Sequence, residues 1–533
     1  MSHTRILYRQ FLFRLMDVEF LAASARGDAS QLFGQFASML VFISFVGAYG
    51  GLIAGSQRLG PEMTWLAERI LIEATMLVVG VFALLSWEST FPDRRDVYVI
   101  SPLPVRGKTI FIAKVAAAAS SLGLTVLALH CLAGLTWPGA LMPRGAGFLA
   151  WLRCVAAYWI TLPAAGAFLY CAMLGLQGIV GLLPRPWFLR ISSFLQIGAF
   201  ALFLGVIFLQ PSLMTTKALA APENQRALAW LPDYWFMGLF NVISGQNPHP
   251  ALSRLADRAI IGFAIALLIA LVAFVLSWLR TMRKIAEEPD ILPSTRGGLW
   301  LPRFGSSPQT ALVQFTLRTL GRSRQHRMNL AFYLGVGFAM IAVTKAPMPS
   351  SLLMLCLAIV GTRLAFSRPL DLRANWLFRI LPVAGAAVAR TTARRALLVL
   401  AVLPTAIGAA IWYLRILPPA DTAKHLLLFV LFGMLQIEVW LITFRKIPFA
   451  CSYLPGKSKF HLAFAGTIQL LPLALLRVVE AEQWAASKWP TYIATVSVMT
   501  AAIMVMRKLA SPSEEILYED FASDELIELK LQS

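Results

Sequence analysis

The sequence predicts an all-α polytopic membrane protein with about twelve transmembrane helices in two parallel six-helix repeats. Three observations point there. Only 14% of the 533 residues are charged and 58% are hydrophobic, whereas a soluble domain carries roughly 25% charged residues. Apolar runs of roughly 20 residues recur along the chain, long enough to cross a hydrocarbon core of about 30 Å as helices. A short pattern, Leu-Pro-Val-x-Gly, occurs at 103–107 and again at 381–385, about half the chain length apart. Sustained period-two alternation is absent, which argues against an outer-membrane barrel.

The elements follow in order. Residues 1–30 read as an amphipathic helix along the inner membrane surface, with Arg5, Arg9 and Arg14 directed at phosphates. They lack the charged start, apolar core and small-residue cleavage site of a signal peptide. The first half, 31–280, holds spans near 31–54, 69–87, 110–135, 150–181, 191–211 and 259–279, the fourth long enough to be tilted or broken. Before its last span lies an outside segment, 211–258, whose Trp230, Tyr234, Trp235 and Phe236 suit an interfacial or re-entrant helix at headgroup depth. Residues 281–328 form a basic cytoplasmic linker with its own amphipathic stretch. The second half, 329–508, holds spans near 329–345, 349–366, 396–414, 425–444, 460–478 and 489–506. The tail, 509–533, is acidic and reads as a solubilising end.

Charge sets the orientation. The net charge of +20 is spread over loops between apolar runs. That distribution excludes a nucleic-acid-binding domain and matches the positive-inside rule. With the N-terminus inside, Arg94, Arg95, Arg106 and Lys108 fall inside, as do the linker bases and the 368–395 bases, while outside loops are poor in Lys and Arg. Both termini are therefore expected in the cytoplasm, and the chain in a bacterial-type cytoplasmic (inner) membrane.

Few residues offer chemistry. Glu73 and Glu438, with Gln436 beside the latter, lie inside expected spans, where carboxylates are expensive and mark functional or pairing sites. Arg69, one turn before Glu73, is a local partner for it, and Arg445 lies two turns from Glu438. The six histidines and five cysteines lack metal-ligand spacing, so no metal site is expected, and His130 reads as a satisfied packing residue. No catalytic constellation is expected either. Pro455-Gly456-Lys457-Ser458 ends like a phosphate-binding loop, but Cys451 stands where that pattern needs Gly, and no α/β domain surrounds it. Gly47 with Gly51, and Gly175, Gly178 and Gly181, suit close helix packing.

The loops carrying the repeated pattern are the most informative stretches. Each follows the second span of its half, begins at a Phe, mixes Asp with Arg and ends in Leu-Pro-Val. Asp93, Arg94, Arg95 and Asp96 read as a mixed-sign, solvent-facing docking patch, followed by Leu103, Pro104 and Val105. Asp371, Arg373, Leu381, Pro382 and Val383 are their counterparts. Gln10-Phe11-Leu12-Phe13-Arg14 likewise resembles Gln314-Phe315-Thr316-Leu317-Arg318.

This order of amphipathic helix, two spans, loop ending in Leu-Pro-Val, three spans, aromatic outside segment and sixth span resembles the type-2 ABC exporter permeases. It is also similar to their fused twelve-span form. The resemblance implies an exporter permease subunit, and the apolar, aromatic-rich spans with few charges suit a hydrophobic or amphipathic cargo moved out of the cytoplasm. It implies a separate cytoplasmic ATP-binding subunit that docks on both loops and holds ATP-Mg, no cofactor in this chain, and no enzyme activity of its own. The second half departs from the pattern in lacking the long outside segment. Two other readings remain. One is a secondary transporter, although Asp93–Asp96 lacks the glycines of the best-known twelve-span family's loop motif. The other is a non-transporting scaffold subunit of a membrane complex.

Overall fold

The computed structural model describes residues 3–16, 29–57, 60–86, 90–91, 96, 103–142, 145–183, 194–195, 198–200, 203–205, 215, 218–219, 221–245, 250–287, 302–344, 346–367, 376–380, 385–442, 444–450, 477–509 and 516. Every regular element among them is helical. The chain divides into two compact units, Met1–Ser294 and Thr295–Ser533.

The first unit contains α1 (His3–Met16), α2 (Ala29–Ser56), α3 (Pro61–Leu85), α4 (Gly107–His130), α5 (Ala133–Leu141), α6 (Phe148–Gly181), α7 (Gln225–Trp230), α8 (Pro232–Ser244) and α9 (Pro250–Glu287). The amphipathic spacing of α1 is real: Leu7, Phe11 and Leu15, one turn apart, are buried against Ile110, Ala113 and Ala117 of α4 and Phe274 and Trp278 of α9. Arg5 and Arg9 stay exposed. Arg14 instead turns to Asp96, as described below.

The chain breaks between α4 and α5, and a break leaves helix-start N–H groups without intrahelical partners. Ser44 of α2 supplies one: its Oγ accepts from the N–H groups of Leu132 and Ala133 at 3.0 and 3.1 Å. Trp137 then donates from Nε1 to the Gly47 carbonyl at 2.9 Å, and Gly51 faces Thr136 so closely that a β-carbon would stand 2.5 Å from its Oγ1. The second glycine stripe works the same way. Gly175, Gly178 and Gly181 of α6 meet Ile269, Ala273 and Ser277 of α9, and a β-carbon at Gly178 would stand 2.7 Å from Ala273 Cβ. Small residues at one-turn spacing thus let two long helices approach backbone to backbone. Away from that seam α9 presents Ile260, Ile261, Leu268 and Leu271 outward, as a lipid-facing helix does. The α6 helix runs unbroken through Pro163.

The aromatic segment forms α7 and α8. Trp230 is 83% exposed, while Tyr234, Phe236, Met237 and Phe240 are buried among α3, α6 and α9. Gly245 ends α8 in the left-handed region, at φ 69°, and its N–H returns to the Asn241 carbonyl.

The second unit contains α10 (Ser307–Arg322), α11 (Arg324–Thr344), α12 (Pro347–Ala365), α13 (Trp376–Ile380), α14 (Gly385–Leu397), α15 (Leu403–Tyr413), α16 (Pro419–Leu441) and α17 (Trp489–Leu509), with further helix at 477–487. The α14 and α15 helices are continuous through a π turn, Leu398–Val402. Pro404 explains it: a proline early in α15 cannot donate to the preceding turn, and the chain widens just before it. The core joins Leu352, Leu355 and Ile359 of α12 to Ala393, Ala396 and Leu397 of α14 and Phe429, Ile437 and Leu441 of α16. Leu428, Ala485 and Tyr492 seat the last helix.

Among the described residues, eight helical stretches are long and apolar enough to cross a membrane: Ala37–Ser56, Gly107–His130, Phe148–Gly181, Pro250–Arg280, Pro347–Ala365, Gly385–Tyr413, Pro419–Leu441 and Trp489–Leu509. They match eight of the twelve expected spans, and the transmembrane character of the chain rests on them. The spans expected near 69–87 and 329–345 are helical as α3 and α11. The α3 helix falls outside the eight because Glu68, Arg69 and Glu73 sit within it. Those expected near 191–211 and 460–478 lie mostly outside the described residues, as do most of the linker's 288–301 stretch and the acidic tail.

Candidate functional site

Among the described residues of the loop between α3 and α4 is one buried carboxylate. Asp96 is fully buried, with Oδ2 accepting from Lys114 Nζ at 2.6 Å and Oδ1 from Arg14 at 2.8 Å. Lys114 lies on the apolar helix α4 and is itself buried, so its ammonium must be satisfied inside the protein. It also donates to the Phe91 carbonyl at 2.8 Å and rests over the Phe11 ring at 5.2 Å. One carboxylate thereby ties the loop to α1 and to α4. The expectation that Asp96 faces solvent with Asp93, Arg94 and Arg95 is corrected: two cations draw it into the interior. Asp93, Arg94 and Arg95 lie outside the described residues.

Downstream of this anchor the repeated motif faces outward. Leu103 is 50% exposed, Pro104 is exposed, and Val105 is half-buried against the α1–α4 cluster. The Val105 N–H folds back to the Leu103 carbonyl at 2.6 Å, and α4 starts at Gly107. An apolar residue followed by a stiff proline, held at the head of a helix, is a compact contact element.

In the second unit the loop starts at buried Phe366, whose carbonyl accepts from the Phe449 N–H at 3.0 Å. Phe449 takes φ 63° there, a left-handed conformation uncommon for an aromatic residue. The loop then forms α13, with Phe378 packed on Phe315 of α10 and Leu377 and Ile380 exposed. Leu312 of α10 also joins Phe378 and Ala389 of α14 in one cluster. In each unit, therefore, the amphipathic helix carrying the Gln-Phe motif packs on the helix that follows Leu-Pro-Val. Asp371, Arg373, Leu381, Pro382 and Val383 lie outside the described residues.

The two carboxylates expected inside spans are both paired. Glu438 on α16 is buried, with both oxygens gripped by Arg394 of α14 at 2.6 and 2.8 Å, and Oε1 also accepts from Arg507 of α17 at 2.7 Å. Its partners are distant in sequence, whereas local spacing suggests Arg445. Gln436 is half-buried near Cys356 of α12.

Glu73 does pair with Arg69, at 2.6 Å, and the same Arg69 Nε reaches Asp233 of α8 at 2.9 Å. Arg69 also donates to the Tyr234 hydroxyl at 2.8 Å. Beside it, Asn241 donates to Glu68 Oε2 at 2.6 Å and accepts from Trp65 Nε1 at 3.2 Å, while Glu68 Oε1 is buried without a hydrogen-bond partner. Asp233 lies outside the eight span-length helices. Burial pushes its carboxyl up to about 7, against the pull of the Arg69 guanidinium. Sequence reasoning overlooked Asp233 and Glu68; an acid inside the aromatic run Leu-Pro-Asp-Tyr-Trp was the available signal. Among the described residues, Glu73 and Asp233 line a cavity of about 490 Å³ together with apolar side chains.

His130 is satisfied between Thr75 Oγ1 at 2.9 Å and the Tyr158 hydroxyl at 2.8 Å. No group of metal-ligating side chains occurs among the described residues. Comparison with known proteins returns no family model, no curated protein and no solved structure that matches the chain.

Proposed function

We propose that the chain is the membrane subunit of an ATP-driven exporter of the ABC type, with ATP hydrolysed by a separate cytoplasmic subunit and an amphipathic cargo moved out of the cytoplasm. The observation that carries this reading is the Asp96 anchor. It fastens the loop that leads to the exposed Leu103-Pro104 element to both α1 and α4, at Asp96, through two charge-assisted bonds, the stronger kind of hydrogen bond. A partner that pushes on Leu103 and Pro104 would move α4, a span-length helix that starts at Gly107 just after Val105 packs on the α1–α4 cluster. The similar seating of α10 on α14 supports a second contact of the same kind, and with it the two-repeat, twelve-span organisation in an inner membrane with both termini inside.

The test is a mild-detergent pull-down of the native protein with assay of co-purifying ATPase. The expected result is a bound ATPase whose recovery falls at least tenfold with Leu103→Asp, an exposed position where the fold tolerates charge. Recovery of the protein without any ATPase favours a secondary transporter or a scaffold.

A further inference from the structure

We infer that the C-terminal segment 510–533 docks in cis on the second unit, with Ile516 as its anchor and the face shared by α10, α13 and the start of α14 as its seat. This rests on the exporter reading only in making that face a partner's contact; the docking itself does not. Ile516 is half-buried, packed against a cluster of Leu312 of α10, Phe378 of α13, Ala389 of α14, Ile447 and Ala450. Removing its side chain from water favours that contact. The route to the seat is short. Arg507, in the last turn of α17, bonds Glu438, which Arg394 of α14 also grips. Ala389 lies five residues before Arg394 on α14, about 7 Å along the helix. The nine residues from Arg507 to Ile516 can span about 30 Å when extended, more than the distance asks.

Charge selects the same occupant. Glu514 and Glu515 directly precede Ile516, and Glu519 and Asp520 follow closely. The stretches that build the seat, 302–327, 376–397 and 444–450, contain no Asp or Glu. Arg318 and Arg322 are exposed on α10, Arg379 is exposed beside Phe378, and Arg445 and Lys446 adjoin Ile447. An acidic segment meeting a basic face is electrostatically complementary. Covalent attachment gives this segment a local concentration that a free acidic protein has to match. The seat also has a consequence for the partner. The α13 helix belongs to the loop proposed as the second ATPase contact, with Leu377 and Ile380 exposed on either side of Phe378. The docked tail therefore competes with the ATPase for this face.

The experiment uses the full chain in nanodiscs with no ATPase present. Cleavage of the tail by a Glu-specific protease is timed by mass spectrometry for the wild type, Ile516→Val and Ile516→Asp, at low and at high salt. Cleavage reports the undocked fraction when opening and closing are fast. The expected result is slow cleavage of the wild type and Ile516→Val, and roughly tenfold faster cleavage of Ile516→Asp. The wild-type rate should rise towards that of Ile516→Asp as salt screens the charges. A cross-link tests the seat directly, in a background lacking the five native cysteines. Ile516→Cys should form a disulfide with Val388→Cys, which packs on the same cluster, and not with Ile411→Cys, exposed on α15. Equal cleavage of the wild type and Ile516→Asp, or no cross-link specific to Val388→Cys, overturns the docking. Where an ATPase co-purifies, Ile516→Asp should raise its recovery severalfold, and unchanged recovery overturns the competition. A missing ATPase would defeat the exporter reading and leave the docking result intact.

Discussion

Replacing Lys114 by Met tests whether the Asp96 anchor is a true buried ion pair. The variant keeps the length and apolar stem of the side chain and removes only the ammonium. Asp96 remains fully buried, with Arg14 still bonded to its other oxygen. Removing one partner of a buried pair costs about 3–5 kcal/mol, because the other charge stays behind without compensation. Arg14 is 26% exposed on its side chain and already in contact, so it offsets part of this and places the loss near about 3 kcal/mol. Asp96→Asn alone should lose a similar amount, since it strands a buried ammonium that keeps the Phe91 carbonyl. The double variant removes both charges, so its loss should fall short of the sum of the singles by about 2 kcal/mol, within the range seen for contacting residues. The assay is unfolding by SDS titration in mixed micelles, followed by circular dichroism. Additive losses within about 0.5 kcal/mol would show that the pair is not coupled, and the proposed anchor would fall.

Three further outcomes follow from the same packing. Glu438→Gln should destabilise the second unit by about 3 kcal/mol or more, because it leaves Arg394 and Arg507 facing each other without their shared anion; Arg507→Ala, at a 42% exposed side chain, should cost about 1 kcal/mol or less. The check is the same SDS titration. Gly178→Leu should force α6 off α9, lowering the melting temperature of the purified protein and costing about 1–3 kcal/mol or more, whereas Gly123→Leu, where an added carbon meets nothing within 4 Å, should be nearly neutral. Gly245→Ala should cost about 1 kcal/mol, because it places a β-carbon at φ 69°.

Helix periodicity was the legible part of the sequence. The Leu7, Phe11 and Leu15 spacing and the Gly175, Gly178 and Gly181 stripe are one-turn patterns, and each appears in the structure as a packing seam. Eight spans were legible because length and hydropathy are local properties. The α3 helix shows where that signal stops, since Asn241 bonds Glu68 and Asp233 bonds Arg69 in contacts that no local window contains. Charges misled for the same reason. Asp96 looked like a surface residue among Asp93, Arg94 and Arg95, and only its partners at Arg14 and Lys114 draw it inside. Lys114 carries the signal for this: a lysine two turns into an apolar helix demands an anion. Glu438 was noticed, but its true partners lie 44 and 69 positions away. The cavity could not be read from sequence, because it is formed by α3, α6 and the segment around Trp230 meeting in space.

The central claim is that Leu103 and Pro104 transmit work from a partner ATPase into α4. The most direct measurement is cargo-independent: ATPase activity co-purifying with the wild-type protein, with Leu103→Asp and with Lys114→Met. Retained binding of the ATPase with altered basal ATPase activity in Lys114→Met, together with loss of binding in Leu103→Asp, is the predicted pattern. An ATPase that binds and responds equally well to all three proteins would contradict it.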